Sequence, residues 1–212
     1  MARRPTAIAS VLALALIAGC GGGGGTTSAA LPAGCTKVAQ PPAKHVSLSR
    51  PTRTLRGSAI ATVETSCGAF RISLDTTTAP KTTSSFAYLA RQGVYDNTVF
   101  HRIIPGFVVQ GGDPTGTGTG GPGYFVDERP PQATSYTLGT VAMAKSPVDP
   151  PGRSGSQFFV VDEADAGLTP DYAALGRVSS GMDVVARIAQ LGTASGHPKA
   201  PVVIRRVTIQ GG

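Results

Sequence analysis

Tryptophan is absent from the 212 residues, and 5 Tyr and 7 Phe supply all the aromatic side chains. Nucleic-acid binding draws on aromatic stacking platforms and basic helices; this chain has few of the first and none of the second, despite a formal charge of +7. Only 15% of residues are charged against 41% hydrophobic, which excludes wholesale disorder and allows a buried core. No G-x-S-x-G occurs, and the three histidines, His45, His101 and His197, stand in unrelated contexts, so a serine hydrolase has no support. Cys and His never fall at ligand spacing, and no metal or cofactor is expected. Gly116, Gly118 and Gly121 fit G-x-G-x-x-G. Pro122 follows where a helix should begin, and no βαβ unit surrounds the glycines, so a dinucleotide site is rejected. The apolar run from Ala7 to Ala18 is too short to cross a bilayer comfortably.

That run follows Arg3-Arg4 and ends Leu16-Ile17-Ala18-Gly19-Cys20, the layout of a secretory leader. The ending resembles the lipobox of bacterial lipoproteins, which implies cleavage of residues 1–19 and attachment of lipid to the Cys20 thiol. The export anchor would hold the chain at the outer face of the cell membrane. Loss of Arg3 and Arg4 lowers the net charge from +7 to +5. With Cys20 lipidated, the three cysteines reduce to Cys35 and Cys67, which are expected to form a disulfide in an exported protein, the alternative being two reduced thiols. Residues 20–57 read as a tether: flexible over Gly21 to Gly25, stiffened at Pro41-Pro42, and basic at Lys37, Lys44, Arg50, Arg53 and Arg56, with no acid from there until Glu64. These cations either form a solvated linker or lie against anionic lipid near the anchor.

From Ser58 the pattern changes. SAIATVETS and AFRISLD read as a hairpin about Cys67-Gly68. Pro80 starts a helix with Phe86, Leu89 and Ala90 on one face, and Gly93 ends it. Further strands are expected at 136–144, 156–162 and 173–178. A helix follows over Met182 to Leu191 with Ser180 as cap, and VVIRRVTIQ makes the last strand. The whole predicts a mainly β fold, a closed eight-stranded antiparallel β-barrel capped by two helices, and nothing suggests more than a monomer.

The centre of this region is VFHRIIPGFVVQGGDP, Val99 to Pro114. Arg102 sits there among Ile103, Ile104, Phe107, Val108 and Val109, where even partial burial of a guanidinium is unfavourable unless something accepts its hydrogen bonds. If the two short strands flanking Pro105-Gly106 line one face, Arg102, Phe107 and Gln110 meet over a shallow pocket. His101 should point to the opposite face. Together with SGSQFFVV at 154–161, this stretch resembles the cyclophilin family of peptidyl-prolyl isomerases, over Ser58 to Gly212.

The resemblance implies isomerisation of Xaa-Pro bonds in unfolded or exported polypeptides, with Arg102, Phe107 and Gln110 as catalytic residues. Phe107, Val108, Phe159 and Leu168 would enclose the proline ring, Gln110 and the backbone around Ala144 would hold the substrate main chain, and Gln157 and Tyr172 would wall the groove beside Lys145. Departures from the family pattern are Val108 where Met is common, Lys145 where Asn is usual, Tyr172 where many members have His, and Gly167 where a Trp helps bind cyclosporin. Weak cyclosporin binding is therefore expected, which nanomolar affinity would contradict. The rival reading is a non-catalytic chaperone or scaffold that holds proline-containing segments, for which the intact arginine would not be needed.

Overall fold

The computed structural model describes residues 30–212, so the leader and Cys20 lie outside the described residues. β1 (Ala59–Thr65) and β2 (Gly68–Leu74) form the first hairpin, followed by α1 (Pro80–Arg91). The central stretch gives β3 (Thr98–Val99), β4 (Arg102–Ile104) and β5 (Val108–Gly111). Then come β6 (Val126–Asp127), β7 (Thr140–Met143), β8 (Arg153–Ser154), β9 (Phe158–Val161), β10 (Ala174–Ser180), α2 (Met182–Ala189) and β11 (Val203–Gly211).

Nine strands form one curled antiparallel sheet in the order β3-β11-β1-β2-β10-β7-β9-β5-β4, and β6 pairs with β8 beside it. The expected closed eight-stranded barrel is corrected to this nine-stranded sheet. VFHRII does not run as one strand. Phe100 turns into the core and donates its N–H to Val202, and Phe100-His101 thereby split the stretch into β3 and β4, the two ends of the sheet order. An isolated bridge, Val99↔Asp113, joins β3 to the chain just after β5.

Alternation along the central strands sorts side chains into two apolar layers. Ile103, Val109, Val141, Met143, Phe158 and Val160 face the main core. Phe158 lies there edge-on to Phe86 and Tyr95 at centroid distances of 5.6 and 5.8 Å. Val108, Ala142, Phe159 and Val161 face the other way and build a second cluster with Tyr136. Each such buried Phe or Val contributes about 1.5–3 kcal/mol, so this outer layer is part of what holds the sheet together.

α1 starts at Pro80 as its sequence predicts, but Ala79 at the cap supplies no side chain. The Glu128 carboxylate instead accepts the N–H groups of Lys81 and Thr82 at 3.0 and 2.7 Å. α2 is likewise not capped by Ser180; Gly181 holds the cap position at φ 87°.

Residues 30–57 are not the free linker expected of them. They form a strap along the domain, closed at one end by a disulfide between Cys35 and Cys67. The Lys44 ammonium donates to the carbonyls of Gly93, Val94 and Asp96 just beyond the C-terminus of α1, at 3.1, 3.0 and 2.5 Å. Leu55 is buried, and its N–H donates to Ser84 Oγ.

Candidate active site

Register assembles the site. Arg102 pairs with Gln110 across β4 and β5, Gln110 with Phe159 across β5 and β9, and Phe159 with Ala142 across β9 and β7. Residues opposite one another share a face, so these four stand in a row on the outer side of the sheet. Around Phe159 and Val108 pack Phe107, Ala144, Leu168 and Tyr172, forming an apolar cluster on this face. The Tyr172 ring meets Phe159 edge-on at 5.4 Å. Tyr136, which the sequence did not single out, lies fully buried beneath them: its hydroxyl donates to Tyr172 O at 2.6 Å and accepts from Tyr172 N–H at 3.1 Å. Burial pushes that hydroxyl up to about 12, keeping it a donor.

At the rim, the Arg102 guanidinium lies 5.6 Å from the Phe107 ring centroid and donates to Gln110 Oε1 at 3.4 Å. Among the described residues no carboxylate pairs with it. Its stem is backed by Gly196 (φ +87°), where an added Cβ would sit 3.1 Å from Arg102 Cγ. Only a glycine lets the 192–196 loop approach this closely, and no local sequence signal announces it.

Gln110 donates one amide hydrogen to Gln157 Oε1 at 3.1 Å and meets His101 Nε2 at 3.4 Å. Gln157 in turn donates to Gly118 O and Gly120 O at 2.9 and 3.0 Å. The glycine loop carrying those carbonyls is folded around buried Asp113. Its carboxylate accepts from Thr115 N–H, Gly118 N–H and Gly120 N–H at 2.7, 2.6 and 3.0 Å. Burial opposes its charge, but the hydrogen bonds from Gly120, Thr115 and Gly118 outweigh it and hold the carboxyl below the usual range. A continuous polar chain thus runs from Asp113 through the loop, Gln157 and Gln110 to Arg102. Asp113, between Gly112 and Pro114 at the end of the central stretch, carried no assignment from the sequence.

His101 is a correction. It does not point away from the site but contacts Gln110, because it lies in the break between β3 and β4 where the two-residue alternation lapses. Lys145 sits on the rim with its ammonium 5.8 Å from the Tyr172 ring centroid, donating to Asp149 O at 3.0 Å and Ser146 O at 3.3 Å. Gly167 is exposed at φ +62°, with nothing within 4 Å of where a side chain would begin.

On a mainly β fold, an apolar cluster around Phe159 with the Arg102 guanidinium at its edge makes the candidate surface for a polypeptide substrate. Residues 60–209 match the model of the cyclophilin type peptidyl-prolyl cis-trans isomerase family. A peptidyl-prolyl cis-trans isomerase-like 1 of Gibberella zeae is 44% identical over 137 residues, covering 63% of this chain and 83% of the relative. A peptidyl-prolyl cis-trans isomerase-like 2 of Cryptococcus neoformans is 38% identical over 173 residues, 76% of this chain and 30% of that longer relative. The crystal structure of a Cryptosporidium parvum cyclophilin type isomerase superposes with a TM-score of 0.67 at 31% identity, covering 74% of this chain and 99% of its own. The same protein has also been solved in the presence of the dipeptide Ala-Pro. The chain belongs to the cyclophilin-type peptidyl-prolyl cis-trans isomerase family, and its activity class is that of a prolyl isomerase.

Proposed function

We propose that Arg102 drives the isomerisation by donating to the prolyl nitrogen of a bond whose ring is held by Phe107, Val108, Phe159, Leu168 and Tyr172. Rotation about an amide is opposed by about 18–20 kcal/mol because the nitrogen lone pair is delocalised into the carbonyl. A donor aimed at that nitrogen favours the localised lone pair of the twisted state. A thousandfold acceleration requires about 4 kcal/mol. One hydrogen bond from a charged group contributes about 1.5–3 kcal/mol. The remainder falls to the preorganised, apolar surroundings. Gln110 holds the guanidinium by its Oε1, while Ala144 and Gln157 line the path of the substrate main chain.

The observation that carries this is the position of Arg102, at the edge of the apolar cluster, 5.6 Å from the Phe107 ring and without a carboxylate partner among the described residues. Arg102→Ala should lower kcat/KM for a proline-containing peptide by about ten- to a hundredfold. Line-shape or exchange NMR on the peptide reads the rate directly. Equal rates for wild type and variant would leave a binding module instead. We further infer that the clients are exported polypeptides met at the outer face of a membrane. Supporting this are the leader-like pattern over residues 1–19 with Cys20 just after it, and the Cys35–Cys67 bridge, a pairing that persists in oxidising compartments.

A further inference from the structure

The ten residues from Pro114 to Gly123 carry the two carbonyls that hold Gln157, and five of the ten are glycine. Glycine backbone is permissive, so a stretch of this composition does not keep one shape by itself. Asp113 organises its inner side by accepting from the N–H groups of Thr115, Gly118 and Gly120. The two ends are held from elsewhere. Lys44 N–H donates to Pro114 O and Leu48 N–H to Pro122 O, both at 2.8 Å. Both donors belong to the strap, outside the 60–209 segment matched to the family.

The strap has a footing of its own. The Lys44 ammonium is shared among three carbonyls beyond α1, and the Arg50 guanidinium reaches the Phe125 carbonyl. Gly123, at φ +90°, lets the strap lie against the loop; an added Cβ there would sit 3.0 Å from Ser47 Cα. Lys44, Val46 and Leu48 are half-buried while His45, Ser47 and Ser49 are exposed, the alternation of an extended segment whose inner side is fixed.

We propose that Lys44 and Leu48 are positioning residues for the prolyl isomerisation: by gripping both ends of the glycine loop, they set Gln157, and through Gln157 and Gln110 the aim of the Arg102 guanidinium. The inference rests on the reading of Arg102 as the donor. The last link of the chain is the sensitive one. Arg102 reaches Gln110 Oε1 at 3.4 Å, already long for an N–H···O bond, so a loop shift of about a few tenths of an ångström passed through Gln157 is enough to break it. Among the described residues no carboxylate takes its place. The apolar cluster around Phe159 contains no strap residue, so loosening the strap should change turnover more than affinity.

The test uses the full chain and a short peptide with one Ala-Pro bond. Line-shape NMR over a range of peptide concentrations separates kcat from KM, and the Arg102 Nε–H and Gln110 side-chain amide resonances of the free protein report the aim without turnover. Lys44→Met keeps the stem and removes the ammonium; kcat should fall about fivefold with KM within about twofold, and both resonances should shift. Lys44→Arg, which still donates to carbonyls, should restore most of the turnover. Leu48→Pro removes the other N–H and should lower kcat about fivefold below Leu48→Ala, which keeps that donor and sets the reference for lost packing. This pair carries the test if Lys44→Met folds poorly. Leu55→Ala loosens the strap at its buried contact with α1, away from the glycine loop, and should keep wild-type kcat even at an equal loss of stability in urea. Unmoved resonances with wild-type kcat in Lys44→Met, a Leu48→Pro no slower than Leu48→Ala, or an equal fall in Leu55→Ala would overturn the proposal. Arg102→Ala on the same peptide reports separately: an unchanged rate there removes the catalytic reading, whereas a slowed Arg102→Ala beside unslowed Lys44→Met and Leu48→Pro overturns the positioning role alone.

Discussion

Well above pH 6.5, its ordinary value, the imidazole of His101 is neutral in the folded and unfolded chain alike. In the fold its pKa is lowered, chiefly because burial disfavours the charged form; Asp113 opposes the shift and the neighbouring Arg102 reinforces it. The unfolded chain therefore takes up the proton first as pH falls. Stability from this group is fully present above 6.5 and is lost as pH drops through the folded value. Urea unfolding at descending pH should show this loss in wild type and a flatter profile in His101→Gln, which keeps a carbonyl acceptor but does not titrate. The isomerisation rate should fall in the same window, since a protonated ring cannot accept from the Gln110 amide 3.4 Å away. A wild-type stability unchanged by the substitution across that window would remove the role. What could be read at this scale was Arg102, Gln110 and Phe159, whose blocks carry both residue type and spacing. His101 was misread because a period of two holds only within an unbroken strand. Tyr136 was missed because its partner, Tyr172, is 36 positions away.

Prolines and glycines made the element boundaries legible: α1 begins at Pro80, and Gly93 follows its end at φ +67°. The Glu128 cap was not, because it reaches α1 from 47 positions away. The strap was hidden for a related reason. Its basic composition resembles a solvated linker, and only the Lys44-Val46-Leu48 alternation hinted at a buried side. It is held by three kinds of contact that local pattern does not encode: the disulfide, the Lys44 ammonium on three carbonyls, and backbone bonds to the glycine loop. The bridge spans 32 positions, and closing a loop of that size restricts the unfolded chain by about 2–4 kcal/mol. Cys35→Ser with Cys67→Ser should lower unfolding free energy by about that much in a urea titration. A loss below about 0.5 kcal/mol would assign the strap's hold to Lys44 and the backbone bonds alone.

At the scale of the whole molecule, a lipid on Cys20 would make the strap set how far the domain can stand from a membrane. If Cys20 carries the lipid, 15 Cα–Cα steps separate it from Cys35, where the disulfide fastens the chain to the domain. Fully extended, they reach about 50 Å at most, so the isomerase would work within roughly one or two domain diameters of the bilayer surface. An anchor built from several acyl chains, each gaining about 0.8 kcal/mol per buried CH₂, would not detach on the timescale of client folding. The +5 charge remaining after loss of Arg3 and Arg4 would add attraction toward anionic headgroups, screened beyond about 8–10 Å. Labelled palmitate should therefore enter the wild-type chain during expression in a bacterial host and be absent from Cys20→Ala. The variant should partition into the soluble fraction while keeping wild-type kcat/KM on a short peptide, because Cys20 precedes the strap in the sequence and none of the groove residues named above includes it. Equal labelling of the two proteins, or wild type recovered wholly soluble and unlabelled, would remove the anchor.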